Sequence, residues 1–171
     1  MCNLPDPRTK GSKNPGATNV LRIGGKLTAF FVLIFDGLKG AVPVYVGHYL
    51  EYSLFDLTII LLFAFLGHVF PIYYRFKGGK GVATYLGGLV GISFFVGLTF
   101  SMIWLIVAKV MKVSSIAALT ATVLSPIYFY FITTYDVRAT MIIFLINLFI
   151  YFTHRENIRR IMNGEEEVIG S

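Results

Sequence analysis

Charged residues and cysteine are both scarce in this chain of 171 residues, and each scarcity excludes a class of protein. Asp, Glu, Lys and Arg make up 14% of the sequence, whereas a soluble globular domain contains about 25%. The mean hydropathy is +0.71 and 56% of the residues are hydrophobic, which is typical of an integral membrane protein. The single cysteine, Cys2, excludes an intramolecular disulfide, and nothing in the sequence indicates an oxidising compartment.

Several familiar catalytic and targeting patterns are also missing. No Gly-x4-Gly-Lys-Ser/Thr spacing is present, so there is no Walker A loop. The sequence contains no His-x4-Asp pattern, no acidic cluster with metal-ligand spacing and no recognisable serine triad. The polar N-terminal 26 residues lack an apolar core region, so we expect no cleavable signal peptide. Any catalysis would therefore depend on positioning and charge stabilisation rather than on a covalent or metal mechanism.

The chain does contain long apolar runs separated by short polar segments. A transmembrane helix needs about 20 mostly apolar residues. We therefore predict an all-α, polytopic transmembrane helical bundle with about six spans, two of them short, in a single integral-membrane domain covering residues 1–171. The predicted spans cover residues 27–50, 57–74, 82–92, 94–110, 114–134 and 139–153.

The break near Ser93 is predicted from helix length and from charge. One helix over residues 82–108 would be about 40 Å long, against a hydrocarbon core of roughly 30 Å. Six spans with both chain ends in the cytoplasm place 13 of the 15 basic residues on the cytoplasmic side. An unbroken helix would leave nine inside and five outside. The positive-inside rule therefore favours the broken helix.

With six spans, three polar motifs lie on the same membrane face. They read GSKNPGATNVLR at residues 11–22, FKGGKGVAT at 76–84 and HRENI at 154–158. Backbone N–H groups in glycine-rich turns form anion-binding concavities, and lysine and arginine add charge for phosphate. Taken singly, the second motif is equally well explained as a basic loop between two helices, and composition alone favours a solvated basic tail for the first. Their convergence on one face favours phosphate binding.

A few ionisable residues lie within or beside the predicted spans. Asp36 and Lys39 are three residues apart and share one helix face. Such groups are costly in a membrane, so they pair with each other or face a polar interior; a structural ion pair and a ligand contact both remain open. For His68, near the glycine-rich loop, a structural role is favoured over a ligand contact. Pro43 is predicted to kink its helix.

Basic, donor-rich loops beside apolar spans suit a substrate with a phosphate head and a lipid tail. Two other classes of function use the same features. A small membrane phosphate or anion transporter would bind phosphate without turnover, and polar residues deep in several spans would favour it. Only Asp36, Lys39 and Asn147 have that placement. An inactive protein that only binds lipid phosphate is the third hypothesis.

The three motifs, in this order, closely resemble the PlsY family, the bacterial membrane acyl-phosphate:glycerol-3-phosphate acyltransferases. The resemblance rests on residues 11–22, on GHVFP at 67–71 with residues 76–84, and on HRENI at 154–158 with Gly164 and Glu166. It implies transfer of an acyl group from acyl phosphate to the 1-hydroxyl of sn-glycerol 3-phosphate. The implied products are lysophosphatidic acid, a phospholipid precursor, and inorganic phosphate.

The resemblance also implies partners and location. The substrates would be acyl phosphate and glycerol 3-phosphate, without direct use of CoA or acyl carrier protein, and without cofactor or metal. The site would lie on the cytoplasmic face of the bacterial inner membrane, in contact with membrane lipid. We expect a monomer and no nucleic-acid partner.

Residue roles follow from the same resemblance. The catalytic group implied to hold glycerol 3-phosphate and the reacting carbonyl is Lys80, His154, Asn157, Ser114 and Arg22. The loop implied to cradle the acyl-phosphate head is Ser12, Asn14, Gly16, Ala17, Thr18 and Asn19. The further substrate-binding candidates are Lys39, Gly78, Gly79, Gly81, Thr84 and Glu166. Asp36 and Lys39 match the family's Asp-x-x-Lys-Gly pattern and would support the site.

Two departures from the family pattern stand out. Lys13 occupies a position where the family usually has glycine; if that position needs a positive φ, lysine is costly there, and otherwise it adds a cation. The family normally has seven spans, one of them before the first motif. We expect that this chain either starts too late at Met1 or is a shortened form with reduced activity.

Overall fold

The computed structural model describes residues 5–169, which form seven α-helices and one short 3₁₀ helix. Cys2 lies outside the described residues. The helices are α1 (Ala17–Tyr49), α2 (Leu54–Val69), α3 (Val82–Ile92), α4 (Phe94–Met111), α5 (Ser114–Ile132), α6 (Val137–Thr153) and α7 (Arg155–Met162), with the 3₁₀ helix at Ile72–Tyr74. The predicted all-α class is confirmed.

Length and composition identify the helices that can cross a membrane. Four are long and apolar enough, namely α1, α4, α5 and α2 extended to Tyr74. The pair α6 and α7, bent by 59° at His154, makes a fifth candidate, and α3 is a shorter apolar helix. Each of the six predicted apolar segments overlaps one of the helices α1 to α6.

The predicted break at Ser93 is confirmed. Ser93 has φ −154° and ψ 123°, an extended conformation that separates α3 from α4. The chain reverses there, because the start of α3 and the start of α5, which directly follows α4, line the same cavity. The pair α3–α4 therefore enters and leaves on the same side of the bundle.

Two predicted boundaries were wrong. Helix α1 begins at Ala17, well before Leu27, so half of the first motif is helical. The polar residues there suggested a loop, but Asn19 and Val20 are buried by packing, which overrides weak local propensity. Helix α1 is interrupted at Gly25, where φ is 77°. Helix α2 stops at Val69 rather than at residue 74, because a residue that precedes proline, as Phe70 precedes Pro71, disfavours the helical conformation.

Side-chain caps and close backbone packing fix the helices around the site. Ser53 caps α2 by accepting a hydrogen bond from the N–H of Asp56 at 3.3 Å, and Asp136 caps α6. Helices α1 and α3 touch through glycine: a Cβ at Gly40 would overlap the carbonyl oxygen of Thr84. This close approach holds the N-terminal end of α3 against α1, where the site lies.

Candidate active site

A cavity of about 350 Å³ lies at the end of the bundle where α1, α3 and α5 begin. It is lined by residues 16–18, 81–83 and 114–115, which are the first residues of these helices and, for α1 and α3, the glycine that precedes each. The first N–H groups of a helix have no partner within the helix, and the aligned peptide dipoles give this end a partial positive charge. Three helix N-termini at one cavity make a favourable setting for an anion.

The loop before α1 is shaped by the buried side chain of Asn19, which is 1% exposed. Its Oδ1 accepts a hydrogen bond from the N–H of Ser12 at 3.0 Å. Its Nδ2, which carries two hydrogens, lies within hydrogen-bond distance of three backbone carbonyl oxygens of the loop, including that of Asn14 at 2.9 Å. Lys13 has φ 58°, so the position does require the left-handed conformation that glycine adopts most easily.

The glycine-rich loop before α3 places Lys80 at the cavity. The Lys80 ammonium donates a hydrogen bond to Oδ1 of Asn157, on α7. The Lys80 carbonyl accepts a hydrogen bond from the Thr153 hydroxyl at 3.1 Å. Asn157 in turn donates through Nδ2 to Oε1 of Glu166 at 2.5 Å. Lys80 is therefore fixed through both its backbone and its side chain.

A C-terminal segment, residues 164–169, returns across the ends of α1, α5 and α7. Glu166 accepts hydrogen bonds from Ser115 and from Arg160, each at 2.7 Å. Glu167 pairs with the guanidinium of Arg22. The N–H of Ile169 donates to the carbonyl of Lys112 at 2.7 Å. The two carboxylates thus lie among the cations of the cavity.

His154 joins α6 to α7 and is 3% exposed. Its Nδ1 lies 2.8 Å from the carbonyl oxygen of Ile150. Because a carbonyl only accepts, Nδ1 carries the hydrogen, and in the neutral ring Nε2 is the hydrogen-bond acceptor. His154 lines the cavity, so this ring can accept a hydrogen bond from a ligand hydroxyl.

Burial sets the charge balance of the site. Burial lowers the pKa of Lys80 to about 8; nearby Glu166 raises it, and Arg160 and Arg22 lower it further. Burial raises the pKa of the Glu166 carboxyl, but the hydrogen bonds from Asn157, Ser115 and Arg160 outweigh this, and the net pKa lies below its usual value. The site therefore holds an ionised carboxylate beside a lysine that titrates near neutrality.

The inner part of the cavity is apolar. It is lined by Leu86, Phe100, Trp104 and Ala118 from three different helices. Two further lining residues, Leu33 of α1 and Leu105 of α4, are 45% and 60% exposed. The cavity therefore reaches the lipid-facing surface between α1 and α4, and an alkyl chain can lie partly inside and partly in the bilayer. We call this part of the cavity the apolar slot.

Comparison with known proteins identifies the family. Residues 1–164 match the family model described as glycerol-3-phosphate acyltransferase. The chain belongs to this family. A glycerol-3-phosphate acyltransferase of Ruthia magnifica subsp. Calyptogena magnifica is 56% identical over 169 residues, which cover 99% of this chain and 85% of that protein. One from Thioalkalivibrio sulfidiphilus is 50% identical over 173 residues, covering 100% of this chain and 84% of that protein.

Solved structures show the same architecture. The crystal structure of PlsY, an integral membrane glycerol 3-phosphate acyltransferase, in its glycerol 3-phosphate form, matches with a TM-score of 0.91 at 37% identity. That match covers 97% of this chain and 83% of the PlsY chain. The lysophosphatidic acid form matches with a TM-score of 0.87, over 94% and 82% of the two chains.

These comparisons decide between the functions that the sequence left open. The chain is a multi-pass membrane acyltransferase of phospholipid synthesis, as the resemblance implied. The transporter and the inactive lipid-phosphate-binding protein are not favoured, because the curated relatives and the matching structures are acyltransferases.

The acyltransferase fold brings most of the predicted site residues to one cavity. Those that line it are Ser12, Asn14, Gly16, Ala17, Thr18, Asn19, Arg22, Lys80, Gly81, Ser114, His154, Asn157 and Glu166. The three motifs, far apart in sequence, thus meet in space. Within residues 5–169 no three side chains of His, Cys, Asp or Glu are grouped as metal ligands.

Four predicted substrate-binding residues of the acyltransferase do not line this cavity. Gly78 and Gly79 line a shallower neighbouring pocket. Lys39 has a side chain that is 55% exposed, and it donates to Asp36 at 2.7 Å. Thr84 is fully buried at the α1–α3 contact, and its hydroxyl has no hydrogen-bond partner among the described residues. Their roles in substrate binding stay predictions.

Sequence reasoning missed several of the residues that line the cavity. Arg160, Ser115 and Glu167 line the cavity, but they lie beside residues with clearer motif positions and gave no separate pattern. The apolar residues Phe100 and Trp104 are indistinguishable in sequence from other membrane-facing side chains. Only the helix packing reveals which of them face the slot.

Proposed function

We propose that this acyltransferase takes its acyl group from acyl phosphate and transfers it to the 1-hydroxyl of glycerol 3-phosphate in the cavity. The observation that supports this is that a cationic region and an apolar region meet in the same cavity. A cationic, N–H-rich mouth with Arg22 and Lys80 opens directly into the apolar slot. Acyl phosphate has the same two parts, an anionic head and an alkyl tail.

The residue roles follow from this placement. The loop from Ser12 to Thr18 and the N-terminus of α1 bind the acyl-phosphate head, and Asn19 holds that loop in shape. Arg22 and Lys80 neutralise phosphate charge, while Ser114, His154 and Asn157 orient glycerol 3-phosphate and the reacting carbonyl. Glu166 positions Asn157 by accepting its amide hydrogen.

In the proposed reaction the 1-hydroxyl oxygen attacks the carbonyl carbon of acyl phosphate. The new ester C–O bond forms as the bond between that carbon and the phosphate oxygen breaks. The bonding electron pair leaves with inorganic phosphate, which also takes the hydroxyl proton. His154 accepts a hydrogen bond from the 2-hydroxyl of glycerol 3-phosphate through Nε2 and so orients the acceptor, which leaves the proton of the attacking 1-hydroxyl free to pass to the phosphate. Because acyl phosphate already has a good leaving group, orientation and neutralised charge supply the catalysis, and no cofactor is required.

The location we propose is the bacterial cytoplasmic membrane, with the mouth of the cavity on the cytoplasmic side. Arg22, Lys80, Lys112 and Arg160 all lie at the end of the bundle where the cavity opens. The positive-inside rule assigns that end to the cytoplasm, where a soluble phosphate acceptor can enter. We propose a monomer, because each group assigned a role lies within one chain.

The proposal is tested by purified protein in lipid with three alternative donors: palmitoyl phosphate, palmitoyl-CoA and palmitoyl acyl carrier protein. Glycerol 3-phosphate is the acceptor, and lysophosphatidic acid and free phosphate are measured together. We expect equal amounts of both products with palmitoyl phosphate and none with either thioester. The Lys80→Ala variant should lose the activity. Transfer from a thioester, or release of phosphate without lysophosphatidic acid, would contradict the proposed donor.

A further inference from the structure

A chain of contacts runs from inside the bundle to the loop that holds Lys80. Lys39 donates to Oδ1 of Asp36 at 2.7 Å, and the same oxygen lies 3.5 Å from Nδ1 of His68. The side chains of Asp36 and His68 are only 11% and 9% exposed. Both residues also line the cavity. This pair has no role in the proposed reaction.

The opposite edge of the His68 ring meets the glycine-rich loop. A Cβ at Gly79 would overlap Nε2 of His68 and lie 3.0 Å from its Cε1. The ring therefore rests against the α-carbon of the residue that precedes Lys80. The rest of the loop is held by backbone bonds: the N–H of Gly78 donates to the carbonyl of Val69 at 3.1 Å, and Thr153 donates to the Lys80 carbonyl.

We propose that His68, oriented by Asp36, is a positioning residue that supports the glycine-rich loop from beneath and so sets the position of the Lys80 ammonium. An apolar side chain would fill this space without burying two ionisable groups in the membrane, which is costly. The polar pair adds a fixed orientation of the ring, because Asp36 contacts Nδ1 while Nε2 faces Gly79. The inference rests on the proposed role of Lys80 in binding phosphate.

The contact between His68 and Gly79 can be tested by making the first side chain smaller and the second larger, singly and together. His68→Ala removes the support, and we expect kcat/KM to fall about tenfold to a hundredfold, the loss that a displacement near 1 Å can cause. Gly79→Ala forces the loop away from the ring and should cost at least as much. In the double variant the new methyl group occupies the space that the ring leaves. Its kcat/KM should therefore exceed that of Gly79→Ala by about tenfold, a strong non-additivity expected only for residues in contact.

Gly78 supplies the matched comparison. A Cβ at Gly78 would overlap the backbone carbonyl oxygen of His68 and lie 2.7 Å from Cδ of Pro71. Removal of the imidazole relieves neither contact, so His68→Ala should not rescue Gly78→Ala. Rescue of both glycine variants would indicate general loosening and would overturn the proposal. Losses that simply multiply in the His68→Ala/Gly79→Ala variant would also overturn it.

Two further variants separate positioning from other roles. Asp36→Asn keeps the shape of the side chain but removes its charge, and should lower kcat/KM by about threefold to tenfold. Asp36→Asn also tests the proposal if His68→Ala does not fold. In that case, unchanged kinetics of the Asp36→Asn variant would overturn the proposal. His48→Ala, at the exposed far end of α1, should behave as the wild type.

A general-base role for His68 predicts a different pattern. Loss of such a base lowers kcat by about 10² to 10⁴, and a methyl group at residue 79 would not restore it. A displaced Lys80 is instead more exposed to solvent, so its pKa should rise, because burial is what lowers it. In His68→Ala the fall of kcat/KM at alkaline pH, which we call the alkaline limb, should therefore move to higher pH. An unmoved limb would contradict positioning.

The final readout does not depend on the acyl donor. Binding of inorganic phosphate to the wild type and to each variant, measured by calorimetry, should show the same loss and rescue. If the wild type does not use acyl phosphate but phosphate binding shows this loss and rescue among the variants, the proposed donor is wrong and the role of His68 is supported. If phosphate binding is equal in all variants, the role of His68 is refuted.

Discussion

Lys80 gives the sharpest prediction, because its pKa lies close to neutrality. Burial lowers the pKa of this ammonium to about 8, so its charge is present below that pH and is lost above it. At about pH 7 roughly 90% of the lysine is charged, and at about pH 9 roughly 10% is charged. A phosphate ligand needs the charged form. We therefore expect kcat/KM for glycerol 3-phosphate to fall about tenfold between these two pH values.

The assay is initial-rate kinetics in lipid from about pH 6.5 to about pH 10, corrected for spontaneous hydrolysis of acyl phosphate. The ratio kcat/KM reports groups of the free enzyme. The substrate phosphates ionise near pH 6, so they do not produce the alkaline limb. Bound phosphate stabilises the ammonium, and kcat should therefore fall at a higher pH than kcat/KM does.

Three variants identify the group. Lys80→Arg stays charged throughout this range and should lose the alkaline limb, even if its absolute rate is lower. Glu166→Gln removes a charge that raises the pKa of Lys80, so the limb should move to lower pH. Arg160→Gln removes a charge that lowers this pKa, so the limb should move to higher pH. A flat wild-type profile to about pH 10, or an unchanged limb in Lys80→Arg, would refute the reasoning.

Three other predictions address the rest of the site. Glu167→Gln frees Arg22 from its carboxylate partner and should lower the Kd for inorganic phosphate by about threefold to tenfold. The control variant Glu165→Gln, at an exposed position, should leave this Kd unchanged. Equal effects of the two variants would contradict a specific pairing. Ala118→Phe fills the apolar slot and should reduce kcat/KM about tenfold for palmitoyl phosphate but little for a short-chain donor; uniform loss would place the acyl chain elsewhere. Lys13→Gly relieves a left-handed lysine and should stabilise the protein by roughly 0.5–1 kcal/mol in thermal unfolding; a lower Tm would contradict this.

The sequence predicted the fold well where the physical constraint was global. Bilayer thickness and the distribution of basic residues together required an interruption near Ser93, and the structure has it there. The start of α1 could not be predicted in the same way. Residues 17–26 look like a loop in composition, but residues 17–24 become helical because packing buries Asn19 and Val20.

The residues of the site likewise divide into those that the sequence could predict and those that it could not. Composition singled out Lys80, because a lysine among glycines suggests phosphate chemistry, whereas the roles of His154 and Asn157 were implied by the family resemblance and stay predictions. The contact of His68 with Gly79 joins two parts of one motif through a turn whose geometry no spacing rule specifies. The pairing of Glu167 with Arg22 spans almost the whole chain. Such contacts depend on tertiary structure, and sequence patterns do not reveal them.

The opening of the apolar slot toward lipid, between Leu33 and Leu105, has a kinetic consequence. A donor that enters sideways is never dissolved in the aqueous phase when it meets the enzyme. Its effective concentration is then its mole fraction in the membrane rather than its molarity. Added inert phospholipid should slow the reaction by surface dilution at constant total donor, while the aqueous acceptor continues to obey ordinary bulk saturation.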